Sequence, residues 1–203
     1  AESASDVFAV LQHLHANAGA LRIDPLHLGV GGDSAGGALA ATVALLARDA
    51  GLRLRAQLLV YPVTAQSEGL LVSDSVVRNG AAPIINLPVM ASMVRARLGG
   101  ALLGSPNYAD HEAHGCSPLR ARGGLAGSAP AIVLSAYYDP LFDHAEEYVR
   151  ALRGAGVPTY YKCYYEMHGF WGGVTTAAGT PSLRETAALV ASLLRAGDAD
   201  GQA

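Results

Sequence analysis

The chain has 203 residues, a length that fits one domain or the larger part of one. With 51% hydrophobic and 15% charged residues it has too much apolar and too little charged material for a disordered chain. The net charge is -3, from 14 Lys+Arg against 17 Asp+Glu, and no basic stripe is visible, which argues against nucleic acid as a partner.

No apolar run approaches the roughly 18 residues of a membrane span. The longest, Ala38 to Ala47, is interrupted by Thr42 and bounded by Arg48. Ala1-Glu2-Ser3 is not a basic region leading into an apolar stretch, so no signal peptide is read and a cytoplasmic chain is expected. Cys116 and Cys163 are too few for a disulfide framework and are expected as free thiols.

The hydrophobic spacing predicts elements in this order. A first helix is capped by Ser5, carries Val7, Val10, Leu11 and Leu14 on one face, and ends at Gly19. Asp24-Pro25 is a turn, Leu26 to Val30 a short strand, and Gly31-Gly32 its break. Gly36 to Ala50 is an Ala-rich buried helix stopped by Gly51. Ala56 to Tyr61 is a continuous apolar strand stopped by Pro62, the pattern of a parallel sheet covered on both faces. Thr64 to Pro83 reads as loop, 87–98 as helix and 99–127 as mostly loop. Ala131 to Ser135 and Thr159 to Tyr165 read as strands, Asp143 to Arg153 and Ser182 to Arg195 as amphipathic helices. Alternating strands and helices without an internal repeat or dividing linker give an α/β class with a mostly parallel sheet.

The sharpest local signal is Gly32-Asp33-Ser34-Ala35-Gly36-Gly37. It fits G-x-S-x-G between a strand and a helix, the setting in which a tight turn lifts a nucleophilic serine above the sheet edge. Small neighbours are needed for that turn. The helix that follows points its N-terminus at the site, where developing negative charge is favoured. The N–H of Ala35 is the expected oxyanion donor. A phosphate loop fits less well, because Gly37 stands where its Lys should be, and Ser34 occupies the last glycine position of a dinucleotide fingerprint starting at Gly29.

A serine nucleophile needs a base and an acid to orient that base. Asp139 lies just beyond the strand 131–135 and His168 just beyond the strand 159–165, in the chain order Ser, Asp, His. Asp143 competes for the acid role but fits better as the N-cap of the following helix. Among seven histidines only His168 follows a late strand after a suitable acid. His13 and His15 fall on a surface helix, His27 in the strand before Ser34, and His111, His114 and His144 in loop or helix start. His111-Glu112-Ala113-His114 lacks the i, i+4 spacing of a helical zinc site, so neither metal nor cofactor is expected.

These residues, with Tyr61-Pro62, Ser117-Pro118-Leu119, Asp139-Pro140-Leu141 and His168-Gly169-Phe170, resemble the bacterial hormone-sensitive-lipase family of carboxylesterases (family IV) from about Ser5 to Leu194. The resemblance implies an α/β-hydrolase fold, a single catalytic domain over 1–203, a triad of Ser34, His168 and Asp139, an acyl-enzyme route, short-chain esters as small-molecule substrates and no cofactor. Asp33, Phe170 and Trp171 are possible pocket residues, with plain packing as the alternative for the two aromatics. The family's His-Gly-Gly-Gly motif does not occur in the sequence, and Met90 to Arg95 replaces a segment that is usually aromatic-rich. The chain is therefore expected to be N-terminally incomplete relative to the family, to leave one side of the nucleophile strand unpaired, and to pair with a missing segment or with another subunit as a homo-oligomer. A non-catalytic small-molecule-binding protein and an amidase or acyl transferase on the same triad are the alternative functions.

Overall fold

A computed structural model describes residues 2–65, 73–97, 117–121, 123–171 and 179–195. Four strands form one parallel sheet in the order β1 (Val30–Asp33), β2 (Gln57–Val60), β3 (Ala131–Ala136), β4 (Thr159–Tyr164). The ladder is in strict succession: Val30 pairs with Gln57, Gln57 with Ala131, and Ala131 with Thr159. The helices are α1 (Glu2–Ala16), α2 (Ala18–Leu21), α3 (Ala35–Asp49), α4 (Asp74–Asn79), α5 (Leu87–Arg97), α6 (Phe142–Gly154) and α7 (Gly179–Arg195).

Side chains alternate across the strands, as extended backbone requires. On one face Leu59, Ala131 and Val133 pack against Ala40, Ala41 and Leu45 of α3 and Ala145, Tyr148 and Leu152 of α6. On the other, Val60, Ile132 and Leu134 meet Phe170 and the Leu189, Val190 and Leu193 stripe of α7. This two-sided burial explains why residues 58–60 of β2 and 131–134 of β3 are apolar at every position. Each fully buried Leu, Ile or Val here contributes about 1.5–3 kcal/mol relative to exposure. A third cluster, Leu11 with Val43, Ala44 and Ala47, fixes α1 to the outer side of α3.

Several expectations are corrected. The strand expected at 26–30 lies at Val30–Asp33 and runs through both glycines. Pro25–His27 is instead a 3-10 turn, held by Asp24, whose carboxylate accepts the Leu26 N–H at 2.8 Å, so His27 is not in a strand. Ladder pairing with β2 outweighs the local preference of glycine, and the close approach asks for it: a Cβ on Gly31 would sit 3.2 Å from the Leu58 Cβ. Ser5 lies inside α1 and does not cap it, because the helix already begins at Glu2. Gly19 lies within α2, which follows α1 after Asn17. The stretch read as loop before Pro83 contains α4. Asp143 is in the first turn of α6, whose N-cap is Leu141, and its carboxylate reaches away to the Ser75 N–H at 2.6 Å. Gly51 does terminate α3, at φ +71.

Among the described residues Cys163 is a free thiol, and Cys116, His111 and His114 lie outside them. No group of metal-binding side chains occurs among the described residues, and no described helix is long and apolar enough to cross a membrane.

His144 is buried in α6 with its Nδ1 unpartnered among the described atoms. Burial depresses its pKa to about 4, only partly opposed by Asp143. As pH falls below the ordinary histidine value the unfolded chain takes up a proton that the folded chain refuses, so stability is full above about pH 6.5 and declines toward pH 4. Urea unfolding across that range is expected to show this decline, and His144→Gln to flatten it.

Candidate active site

The turn between β1 and α3 places Ser34 in a conformation that L-residues seldom adopt, φ 52 and ψ -118. Such backbone costs about 1–3 kcal/mol and persists only when its surroundings hold it. They do so with main-chain bonds: Ser34 donates its N–H to Val60 O at 2.8 Å, and its carbonyl accepts from Ala38 N at 3.2 Å and Val63 N at 3.3 Å. The glycines of the motif are not equivalent. A Cβ on Gly32 would lie 2.4 Å from the Gly36 carbonyl carbon, and one on Gly37 would lie 3.0 Å from the Pro62 Cβ. A Cβ on Gly36 would meet nothing nearer than Asp33 Oδ1 at 4.0 Å.

Beyond the same sheet edge, the loops after β3 and β4 bring Asp139 and His168 to Ser34. His168 Nε2 lies 2.9 Å from Ser34 Oγ, and His168 Nδ1 lies 2.6 Å from Asp139 Oδ2. Asp139 is fully buried and His168 nearly so. The other carboxylate oxygen, Oδ1, accepts the Leu141 N–H at 2.8 Å. An imidazole with its proton on Nδ1 satisfies both contacts, donating to the carboxyl group and accepting at Nε2 from the serine hydroxyl. Gly169, at φ +82, makes the tight turn that follows the histidine.

Tyr61 ties the two halves of the site together, and reading the sequence did not single it out for that role. It is buried at the end of β2 with a positive φ of 34. Its ring lies 4.5 Å from that of His168, centroid to centroid, and 5.5 Å from Phe170. Its hydroxyl donates to Asp33 Oδ2 at 3.3 Å. Burial, reinforced by the Asp33 carboxylate, pushes the phenol well above its ordinary pKa, so it remains a donor. The signal available beforehand was a Tyr-Pro pair ending a strand beside the nucleophile strand.

The other expected site residues fall as follows. Ala35 is exposed and opens α3, with its N–H among the first-turn donors that have no helical partner. Asp33 is exposed, and its carboxylate lies beside Gly36 and accepts from the Tyr61 hydroxyl. Phe170 is wholly buried between Tyr61 and Tyr164, so its ring is core material and has no free face for a ligand. Trp171 is half-buried against the same cluster.

A strand-turn-helix unit carrying Ser34 at the carboxyl edge of a parallel sheet, with Asp139 and His168 on later loops of that edge, is the arrangement of an α/β hydrolase. The family model for the alpha/beta hydrolase fold matches residues 2–172. The chain belongs to that family, in the hormone-sensitive-lipase-like group its motifs resemble. It is 35% identical over 153 residues to the carboxylesterase NlhH of Mycobacterium tuberculosis, covering 75% of this chain and 46% of that protein. It is 34% identical over 193 residues to an arylesterase of Saccharolobus solfataricus, covering 94% and 57%. Among solved structures, EstE1, a thermostable carboxylesterase from a metagenomic library, matches with a TM-score of 0.81 and 31% identity over 95% of this chain and 63% of that one. The chain thus spans about half the length of the curated relatives it matches.

The steric difference between the motif glycines is testable. Gly32→Ala is expected to cost about 3 kcal/mol through forced displacement of the first turn of α3, a fall of roughly 6–12 °C in melting temperature. Gly36→Ala should melt within a degree or two of the parent, and differential scanning calorimetry on both variants checks the contrast.

Proposed function

We propose that this chain carries the catalytic machinery of a serine carboxylesterase that hydrolyses short-chain carboxylic esters. The observation that supports it most directly is the unbroken line of hydrogen bonds from Ser34 Oγ through His168 to Asp139. The esterase names of the relatives support it independently. The described elements share one sheet and its two covering layers, which supports reading them as parts of one catalytic domain.

In this reading His168 Nε2 accepts the Ser34 proton as Oγ attacks the ester carbonyl. Asp139 holds the imidazole in the Nδ1–H tautomer and stabilises the imidazolium that forms. The Ala35 N–H faces the oxyanion of the tetrahedral intermediate, aided by the positive end of α3. His168 then returns the proton to the departing alcohol, leaving Ser34 acylated. Water enters, gives its proton to Nε2 and attacks the acyl carbon, so the acid is released and the serine regenerated. Every proton moved is one that Nε2 accepts and returns, and the chemistry calls on no cofactor. Asp33 and Trp171 flank this space and are read as pocket residues.

A fluorophosphonate probe followed by intact-mass analysis tests the proposal. One adduct is expected on the folded chain, mapping to Ser34 and absent in Ser34→Ala. Asp139→Asn, which presents the wrong tautomer to the serine, is expected to slow labelling and turnover of short p-nitrophenyl esters by about 10⁴-fold with little change in KM. A folded chain that takes no adduct sinks the assignment of Ser34 as an activated nucleophile.

A further inference from the structure

The loop that carries Asp139 is gripped from two sides, and the catalytic chemistry uses only one of them. On the sheet side the ladder continues past β3: Tyr137 N donates to Tyr164 O at 2.8 Å and Tyr138 N to Glu166 O at 3.0 Å. On the other side stands α4. Asn79 Nδ2 donates to Tyr137 O at 3.1 Å and to Asp139 O at 3.2 Å. One turn earlier on the same helix face, the fully buried Ser75 donates its hydroxyl to Pro140 O at 2.7 Å and accepts the Asp143 N–H at 3.2 Å. Val76 of α4 packs with Leu141 in a small separate core. Two side chains of one helix therefore bind three carbonyls of the acid loop, those of residues 137, 139 and 140.

Docking alone does not account for Asn79. The Ser75 bonds with Asp143 and Pro140 and the Val76 contact with Leu141 already anchor α4 to the start of α6 and the residues just before it. The amide of Asn79 is spent on carbonyls on either side of Tyr138, and one of them belongs to Asp139 itself. The Asp139 carbonyl also accepts the Phe142 N–H at 3.1 Å, so the main chain of the acid is fixed from α4 and α6 at once.

We propose that Asn79 is a positioning residue: through the Tyr137 and Asp139 carbonyls it sets the carboxylate against His168, and so the imidazole against Ser34. This rests on the reading of Ser34, His168 and Asp139 as a working triad. Asn79 touches no reacting atom, and its effect passes wholly through the placement of Asp139. Misplacement of a catalytic group by a fraction of an ångström to one ångström costs up to about 10²-fold in rate.

The test follows two signals in parallel: the far-downfield proton resonance of the His168 Nδ1–H bonded to Asp139, and the rate of fluorophosphonate labelling at Ser34. Asn79→Ala removes the donors, and Asn79→Leu removes them while keeping size and helix-forming tendency, so a folded variant is retained if alanine unfolds α4. Val149→Ala, in the core on the far side of α6, serves as a control for a general loss of stability. The expected result is broadening or loss of the downfield resonance with labelling slowed roughly ten- to hundredfold in both Asn79 variants, and neither effect in the control. Asn79 variants that keep the resonance and label at the parent rate overturn the proposal. A parent chain with no downfield resonance and no labelling overturns the triad reading instead, and the role of Asn79 falls with it.

Discussion

Parallel pairing of four strands in strict succession is the constraint on which the site depends. Because β1, β3 and β4 run the same way and are held in register through β2, their carboxyl ends reach a common edge. Residues 34, 139 and 168, far apart in sequence, need only short loops to meet there. The ladder does not stop where the strands are counted as ending. Its last rungs, from Tyr137 to Tyr164 and Tyr138 to Glu166, are the bonds that set the height of the acid loop against the histidine loop. A one-residue slip between β3 and β4 would turn every side chain of one strand to the wrong face, so the two-sided apolar core guards the geometry of the polar site.

Much of this was legible beforehand because the signals were local. Ser34 lay in a motif whose spacing encodes its own turn, and Ala131–Ser135 and Thr159–Tyr165 announced themselves as strands by composition and length. Asp139 and His168 followed from knowing where those strands end. What escaped depended on distant partners. β1 consists of Val30, Gly31, Gly32 and Asp33, with no apolar run of its own, and becomes a strand only because β2 pairs with it. The strand expected four residues earlier was drawn there by Leu26 and Leu28, which belong to a turn and its exit. α4 is six residues of β-branched and polar side chains without periodicity, and its order comes from Ser75 and Asn79 bonding a loop some sixty residues away. Asp143 failed as a cap for the same reason, its carboxylate being drawn to Ser75.

The aromatic residues divide by depth. The buried Tyr61 and Phe170 and the half-buried Tyr164 form a group beneath the histidine, with edge and tilted contacts between ring centroids 4.9–5.5 Å apart. Such pairs add about 0.5–1.5 kcal/mol beyond the area they bury, and they give the imidazole a firm floor. Tyr137, Tyr138 and Tyr165 lie further out, on the rim formed by the acid and histidine loops, where Tyr137 also lies under the Arg78 guanidinium, 5.8 Å from ring centroid to Cζ. Phe170, two residues after His168, reads as a pocket residue from the sequence, but its ring is wholly buried in the core.

The three main-chain bonds of Ser34 have a consequence for how its side chain moves. With N–H and carbonyl both engaged and φ and ψ fixed in a rarely used region, rotation about the Cα–Cβ bond is the one torsion left that displaces Oγ. The bond to His168 Nε2 selects among its three staggered positions. The configurational freedom of the Ser34 side chain is thus largely surrendered during folding, before anything else reaches the site.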